Sequence, residues 1–198
     1  GAIMQPPLQR LKSIDQWQAV AAQIRAMPEV TTVAPVAGGS ALAVRGSARR
    51  AITVAGIEPD LYHRTVDLHN KLARGVSRLT GTDILIGTEL ASDLGVDVGD
   101  KLRITAANDA VDTLTIVGIF DLGNRGANQR NIFVALHTAQ SLLGLPGGVT
   151  SLEVTVRDVY AAQVIAERIT DATGVEADSW IKTSAQFFAA VSAQVTAN

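Results

Sequence analysis

The sequence predicts an α+β fold in which one lobe is built from both ends of the chain and a β-rich lobe is inserted between them. Each end carries a helical pattern, a helix-breaking residue and then a strand, with Pro28 and Gly174 as the two breakers. The middle of the chain contains short apolar runs separated by turn residues, which is typical of strands. We therefore expect one lobe from residues 1–52 with 136–198, and a β-rich lobe from residues 53–135.

The composition excludes several classes of function. The 17 basic and 19 acidic residues give a formal charge of −2 without a basic run, whereas nucleic-acid binding needs clustered Lys and Arg. The absence of cysteine excludes disulfides, thiolate nucleophiles and sulfur-ligated metals. No apolar run reaches the roughly 18 residues of a membrane-spanning helix. A chain of 198 residues can still bury a sizeable core.

The first predicted element is a helix from Ser13 to Pro28. Ser13 and Gln16 have the spacing of a capping box, in which the two residues satisfy each other's open backbone N–H groups. Pro28 ends the helix because it has no N–H to donate. One face of this helix is apolar and is expected to be buried: Ile14, Trp17, Ala21, Ile24 and Met27.

A strand and a hairpin follow. We predict a strand from Val30 to Val36 that Pro35 breaks, and a turn at Gly38–Gly39. The apolar segments Ala41–Val44 and Ile52–Ala55 are then expected to pair. Three arginines cluster in the connection between these segments: Arg45, Arg49 and Arg50. We interpret them as solvated charges that protect a sheet edge, with an anion site as the alternative.

The hairpin leads into a tight exit and a helical stretch. Gly56-Ile57-Glu58-Pro59 reads as a turn, since Pro and Gly punctuate it. The pattern from Leu61 to Leu72 then predicts a helix, and Gly75 ends that stretch.

The segment Asp83–Ile104 has the clearest local signals. A short apolar strand at Ile84–Ile86 precedes Thr88, which is placed to cap a brief helix. Gly95 is expected to end that helix in the left-handed conformation, which a residue with a Cβ resists. Gly99-Asp100 then forms a second turn, and a strand leaves from Lys101.

The remaining chain alternates between strands and helices. Polar and irregular sequence separates these elements at Asp121–Asn131 and at Gly144–Gly148. Asp158 is placed to cap the longest of the helices, and Gly174 to end it. The predicted strands are Lys101–Ala106, Leu114–Phe120, Ile132–Val134, Leu152–Val156 and Val175–Trp180, and the predicted helices are His137–Leu143, Val159–Ala172 and an apolar one from Gln186 onward.

The sequence shows no catalytic pattern, so we expect no enzyme activity and no cofactor. His63 and His69 fall on different faces of the predicted helix, and the nearby carboxylates of Asp93, Asp97 and Asp100 are explained by capping and turns. No serine lies in a Gly-x-Ser-x-Gly elbow. Neither a phosphate-binding loop nor a dinucleotide fingerprint occurs.

The irregular segment from Leu122 to Asn131 is the candidate partner surface. Function often resides in such segments between strands. Its long polar side chains are the candidate contacts: Arg125, Asn128, Gln129 and Arg130. The alternative is an ordinary solvated loop.

Several of these motifs recur in order along one known family. They are Gly56-Ile57-Glu58-Pro59, Leu94-Gly95-Val96 with Val98-Gly99-Asp100, Val117-Gly118-Ile119-Phe120, Ala139-Gln140-Ser141-Leu142-Leu143, and Ser179-Trp180. In this order, over residues 13–188, the chain resembles the extracytoplasmic domain of the MacB/LolC/FtsX-like ABC transporter permeases.

The resemblance implies a location at the extracytoplasmic, periplasmic face of the bacterial inner membrane. The terminus-built lobe would be the membrane-proximal, porter-like lobe, and the β-rich lobe would project outward. The implied partners are transmembrane segments of the same polypeptide, an ABC ATPase, a second permease copy and a periplasmic adaptor or carrier. The implied role is to pass ATP-driven movement of the membrane segments to substrate export or lipoprotein release.

Three alternatives remain open. In lipoprotein-releasing members an extended loop recruits a carrier, but here the corresponding connection, Ala107–Thr113, is short and lacks proline, which favours a MacB-like or generic exporter. A scaffold that activates cell-wall hydrolases, as FtsX-like permeases do, would share the architecture. The unit from Leu94 to Asp100 also suits a stand-alone β-barrel-containing binding domain or small enzyme.

Overall fold

A computed structural model of the chain describes residues 13–182 and 188–194, with side chains described from 13 to 177. The α-helices are α1 (Trp17–Arg25), α2 (Pro59–Tyr62), α3 (Thr88–Leu94), α4 (Arg125–Arg130), α5 (Leu136–Leu142) and α6 (Ala162–Thr173). The strands are β1 (Val30–Arg45), β2 (Ala48–Ile57), β3 (Leu72–Gly75), β4 (Asp83–Gly87), β5 (Lys101–Ala106), β6 (Val111–Phe120), β7 (Asn131–Ala135), β8 (Ser151–Val156), β9 (Glu176–Lys182) and β10 (Phe188–Gln194). This mixture confirms the α+β class. No helix within the described ranges is long and apolar enough to cross a bilayer.

Six strands pair around a closed ring, which we call the barrel. The pairing runs β1–β2–β7–β4–β6–β5 and returns to β1, with parallel pairs only at β2–β7 and β4–β6. Closure removes the free strand edges from the ring. A second group of strands continues from the first half of β1 through β8 and β10 to β9.

Strand β1 belongs to both groups. Its first half, to Val36, pairs with β8, and its second half pairs with β2 and β5. The predicted break at Pro35 and turn at Gly38–Gly39 are therefore wrong. Pro35 lies just before the pairing with β2 begins, where β1 has only β8 beside it, so no second ladder needs its missing N–H. Gly38 continues the strand and donates its N–H to Thr150 Oγ1 at 2.8 Å.

The predicted hairpin is confirmed, with Ala41 opposite Ile52 and Val44 opposite Arg49. The local signals in Asp83–Ile104 are also confirmed at the helix end. Gly95 adopts φ 65°, and Val96 donates its N–H to the Ala91 carbonyl at 3.0 Å. Gly99 has φ 96°, and a carboxylate oxygen of Asp100 accepts the Asp97 N–H at 2.8 Å. Short-range turn chemistry fixes these positions.

Two predicted helix caps are wrong. Helix α1 begins at Trp17 without a side-chain cap, because Ile14 donates its N–H to Val149 at 2.9 Å and this holds the preceding residues outside the helix. Helix α3 is preceded by Gly87 and not capped by Thr88, since β4 continues to Gly87, which pairs with Phe120.

Three predicted segments have a different structure. The helix over Leu61–Leu72 is replaced by short α2, a 3₁₀ turn at His69–Lys71 and the strand β3, which pairs with β6. Asp121–Asn131 contains helix α4. The helix predicted from Gln186 is a strand over Phe188–Gln194, because this segment pairs with both β8 and β9. Residues 186–187 and 195–198 of that prediction lie outside the described residues.

The apolar residues form two clusters. The larger one fills the barrel and continues under α1 and α6, so it joins Ile104 and Leu114 of the barrel to Val154 of β8 and Ile165 of α6. The smaller cluster lies outside the barrel under residues 62–79, where the rings of Phe120 and Phe133 meet edge to face at 5.3 Å. Both groups of strands therefore share one continuous core.

Candidate functional site

The candidate contact residues lie on α4, a short helix between β6 and β7 that packs against α3. Asn124 begins this helix, and its side-chain oxygen accepts the Ala127 N–H at 3.0 Å. Such a cap is a common use of Asn at a helix start. The segment that reads as irregular in the sequence is therefore ordered by its own polar side chains.

Asn128 is a structural residue within this segment. Its side chain is buried, donates to the Asp121 carboxylate at 2.8 Å and accepts the Leu122 N–H at 2.8 Å. Hydrogen bonds from the Gly123 N–H and from Asn128 hold the pKa of Asp121 below its usual range. Both polar atoms of the Asn128 side chain are thus used inside the protein, and a partner cannot reach them.

The other three candidates differ in the solvent exposure of their side chains. Gln129 is half-buried and donates to the Asp93 carboxylate at 2.9 Å. Arg125 forms an ion pair with Glu89 at 2.9 Å, but 83% of its side chain remains exposed. Arg130 is exposed. That this segment contacts a partner stays a prediction, and Arg125 and Arg130 are the side chains able to make the contact.

Replacing Asn128 with Ala should lower the free energy of unfolding by about 2 kcal/mol, since two buried hydrogen bonds are lost, one of them to a carboxylate. The matched change Arg125→Ala should cost less than about 1 kcal/mol, because its ion pair is exposed. Urea denaturation followed by circular dichroism measures both. Equal losses for the two variants would contradict this assignment.

The three carboxylates considered in the sequence each serve a separate local contact. Asp93 accepts from Gln129, Asp97 pairs with Arg74 at 2.9 Å, and Asp100 serves a turn. Hydrogen bonding from the Val98 N–H and from Arg74 lowers the pKa of Asp97. Burial raises the pKa of Tyr62. No group of three or more potential metal-binding side chains occurs among the described residues.

A groove of about 500 Å³ lies between α2 and the start of α5. Its lining includes Ile57, Glu58, Pro59, Leu136 and His137. Glu58 and His137 are exposed on its rim, and the lining carries no Ser, Thr, Cys or Lys that could act as a nucleophile. A smaller groove of about 320 Å³ runs along Gly75–Arg78.

The two ends of the described chain lie beside each other. The Ile14 N–H donates to the Val149 carbonyl, and Gln194 of β10 pairs with Ser151 of β8, which is two residues after Val149. The spacing of residues and of paired strands then puts Ile14 and Gln194 within about 20 Å of each other. The strand pairing that brings the two ends together is not evident from the sequence, because the segment from Gln186 onward fits a helix by its apolar spacing.

Comparison with known proteins identifies the family. The family described as the MacB-like periplasmic core domain matches residues 3–172. An uncharacterized ABC transporter permease protein of Mycobacterium tuberculosis is 27% identical over 143 residues, covering 69% of this chain and 16% of that protein. The lipoprotein-releasing system transmembrane protein LolC of Xylella fastidiosa is 28% identical over 162 residues, covering 76% of this chain and 39% of its own length. The chain therefore spans less than half the length of these relatives.

Two solved structures share the fold at low sequence identity. The extracellular domain of the noncanonic ABC-type transporter YknZ from Gram-positive bacteria superposes with a TM-score of 0.58 at 15% identity, covering 79% of this chain and 83% of that one. The periplasmic region of MacB from Actinobacillus actinomycetemcomitans gives 0.56 at 14% identity, covering 80% and 75%. Together these matches support an extracytoplasmic domain of an ABC transporter permease. The chain belongs to the MacB-like periplasmic core domain family.

Proposed function

We propose that this domain passes ATP-driven movement of the membrane segments of its own polypeptide to a partner outside the membrane, and that it carries out no chemistry itself. The observation that carries this proposal is the proximity of Ile14 and Gln194. Two membrane segments that enter and leave at neighbouring points can displace the whole domain together.

The contacts of both ends suit this role. At the first end, the Trp17 indole N–H donates to the Gly147 carbonyl at 2.8 Å, next to the Ile14 bond. At the last end, β10 pairs with β8 on one side and β9 on the other. The first end is thus held by the loop that leads into β8, the last end pairs with β8 itself, and β1 runs from the same sheet into the barrel. Force applied at the ends would reach the barrel through a paired strand and not through a flexible linker.

The predicted lobes, residues 1–52 with 136–198 and residues 53–135, would move as one body in this mechanism. The shared strand β1 and the continuous core favour such movement, since separating the lobes would expose buried apolar surface. The ABC ATPase would supply the motion at the cytoplasmic side. A second permease copy and a periplasmic adaptor or carrier would be the bodies against which this domain moves at the extracytoplasmic face of the inner membrane.

The connection between β5 and β6 favours export over carrier recruitment. It is a tight hairpin in which Ala106 donates its N–H to the Ala110 carbonyl at 2.8 Å, and Asp109 adopts φ 66°. Asn108 also accepts the Ala110 N–H with its side chain. A connection this short and internally bonded does not extend from the body of the domain to capture a carrier.

The proposal is tested in the full permease, reconstituted with its ATPase in nanodiscs. A fluorophore on a cysteine at exposed Ser92 of α3 transfers energy to rhodamine-labelled lipid headgroups and so reports how far the barrel stands from the bilayer. We expect the transfer to change when ATP is added. Flexible Gly-Ser inserts, both before Ser13 and after Gln194, should abolish this change while ATP hydrolysis continues within about twofold, because a flexible chain does not transmit force.

The matched control is the same insert placed after Asn108 in the β5–β6 hairpin. An exposed turn tolerates insertion, and we expect the ATP-dependent change to persist there. Persistence of the change with both terminal inserts, or no change in the unmodified permease, would contradict the proposal.

A further inference from the structure

One side of the barrel carries a cluster of unneutralised cations, which we call the basic patch. Its residues are Arg49 on β2 and Lys101 and Arg103 on β5, all of them exposed. Within the part of the chain whose side chains are described, none of the three forms a salt bridge. Arg49 and Arg103 flank Val44 from the two neighbouring strands, about 10 Å apart. Cations this close on one face repel one another and favour an anionic partner.

An exposed apolar row lies directly beside this patch. Leu42 on β1 is opposite Ala51 on β2 and Thr105 on β5, and Thr105 is in turn opposite Val111 on β6. Leu42 is 37% exposed and Val111 is 55% exposed. Because paired residues share a face of the sheet, these four side chains form a line across the outside of the barrel. We call this line the apolar row.

The outer face of α6 presents the complementary chemistry. Tyr160, just before the helix, is 92% exposed, and Val164 is 57% exposed. Glu167 and Asp171 follow at helical spacing and are exposed, and neither forms a salt bridge among the described side chains. These four residues lie opposite the buried stripe that contains Ile165 and Ile169. We call them the acidic stripe.

We propose that the acidic stripe of one copy of this chain binds the apolar row and basic patch of a second copy. Val164 would cover Leu42 with Tyr160 packing beside it, and Glu167 and Asp171 would reach the arginines. The dimensions agree. Val164 and Glu167 are about 5 Å apart along the helix, and the step from Leu42 to Val44, whose neighbours are the arginines, is about 7 Å. The long Arg and Glu side chains span the difference.

The chemistry favours a protein occupant over a lipid surface. The hairpin tip beside the patch, Gly46–Ser47, has no apolar residue to insert into a bilayer. The apolar row instead runs across four neighbouring strands on the outside of the barrel, where a helix can lie across it. Both surfaces are exposed in one copy, so neither covers the other within the chain. The inference is independent of force transmission, since it concerns the isolated chain.

Sedimentation equilibrium up to about 1 mM protein tests the contact. We expect weak association, with a Kd of roughly 10–100 µM, which weakens further at high salt. Arg103→Glu and Glu167→Arg should each weaken association at least about tenfold, since each places like charges in contact. The double variant R103E/E167R should restore the Kd to within about threefold of the original, because the exchanged charges attract again. Circular dichroism confirms that each variant folds.

Cysteine cross-linking gives an independent readout, because the chain has no native cysteine. A mixture of Leu42→Cys chain and Val164→Cys chain should form a disulfide-linked heterodimer under mild oxidation. The control replaces the second chain with Ser92→Cys, an exposed helical position outside the acidic stripe. We expect at least about tenfold more heterodimer from the first mixture.

Three results would overturn the proposal. The first is a chain that stays monomeric throughout the concentration range. The second is association that persists unchanged in both single-charge variants. The third is a monomer that instead binds phosphatidylethanolamine–phosphatidylglycerol vesicles and loses that binding in Arg103→Glu, which would assign the basic patch to anionic lipid.

Discussion

Replacing Gly87 with Ala is expected to lower the free energy of unfolding by about 3 kcal/mol. A Cβ added at Gly87 would lie 2.1 Å from the carbonyl oxygen of Asn128 and 2.6 Å from its carbonyl carbon and Cα. These are backbone atoms of α4, so no rotation of a side chain relieves the overlap. The helix would have to move away from β4, and the buried Asn128 side chain would move with it.

Gly81→Ala is the matched control for this prediction. Gly81 has no positive φ, and its nearest potential contact is Thr138 Oγ1 at 3.9 Å, an ordinary van der Waals distance. We expect its effect to stay within about 0.5 kcal/mol. Urea denaturation of both variants, followed by circular dichroism, gives the comparison. If Gly87→Ala were as stable as Gly81→Ala, the close approach of α4 to β4 would be incorrect.

A disulfide between cysteines at positions 65 and 155 is expected to stabilise the domain by about 4 kcal/mol over its reduced form. The hydroxyl oxygens of Thr65 and Thr155 lie 3.1 Å apart, so the two side chains already touch. The cross-link would close a loop of 90 residues, which removes much conformational freedom from the unfolded chain. It would also tie the segment that follows β2 to β8 of the sheet.

This disulfide distinguishes movement of the two lobes as one body from movement of one lobe against the other. In the reconstituted permease, the oxidised double variant should retain the ATP-dependent energy transfer from Ser92 to the lipid headgroups. A disulfide that abolished the transfer, with recovery on reduction, would show that the lobes move against each other. Thermal unfolding of the oxidised and reduced domain measures the gain in stability, and the single variant Thr65→Cys controls for the loss of the hydroxyl.

The sequence predicts best where a few neighbouring residues decide the structure. Gly95 and Gly174 end helices in the left-handed conformation, as their positions after apolar stripes predict. The side chain of Asp158 accepts the Tyr160 N–H before α6, as expected for a cap. Helix α5 likewise follows the predicted range with a shift of one residue. These features depend on backbone geometry within one or two turns.

The sequence predicts poorly where distant pairing decides between two local possibilities. The apolar residues of Phe188–Gln194 fit a helix by spacing, but partners on both sides make the segment a strand. Leu72 also fits a helix, yet it lies in β3 and pairs with Phe120 of β6. Considered in isolation, proline and glycine predict breaks within β1. Pro35 is accommodated because only β8 pairs with the strand at that position. No local rule contains this information.

The candidate surfaces show the same limit. Arg125, Asn128 and Gln129 read alike as long polar residues, but in the folded chain Asn128 is buried against Asp121 and Leu122 whereas Arg125 remains exposed. The cluster of Asp121, Asn124 and Asn128 was a usable signal for internal capping. The basic patch is only partly visible in sequence, because Arg103 joins Arg49 through the pairing of β1 with both β2 and β5.

The continuity of β1 has a consequence for how this polypeptide can be dissected. A protease cut or a truncation between residues 36 and 41 would leave each fragment with an incompletely paired half of β1 and with exposed apolar side chains that are buried in the intact domain. Neither piece would have a complete interior. The barrel and its neighbouring sheet are therefore inseparable as folding units, and any engineered chimera of this family must exchange both or neither.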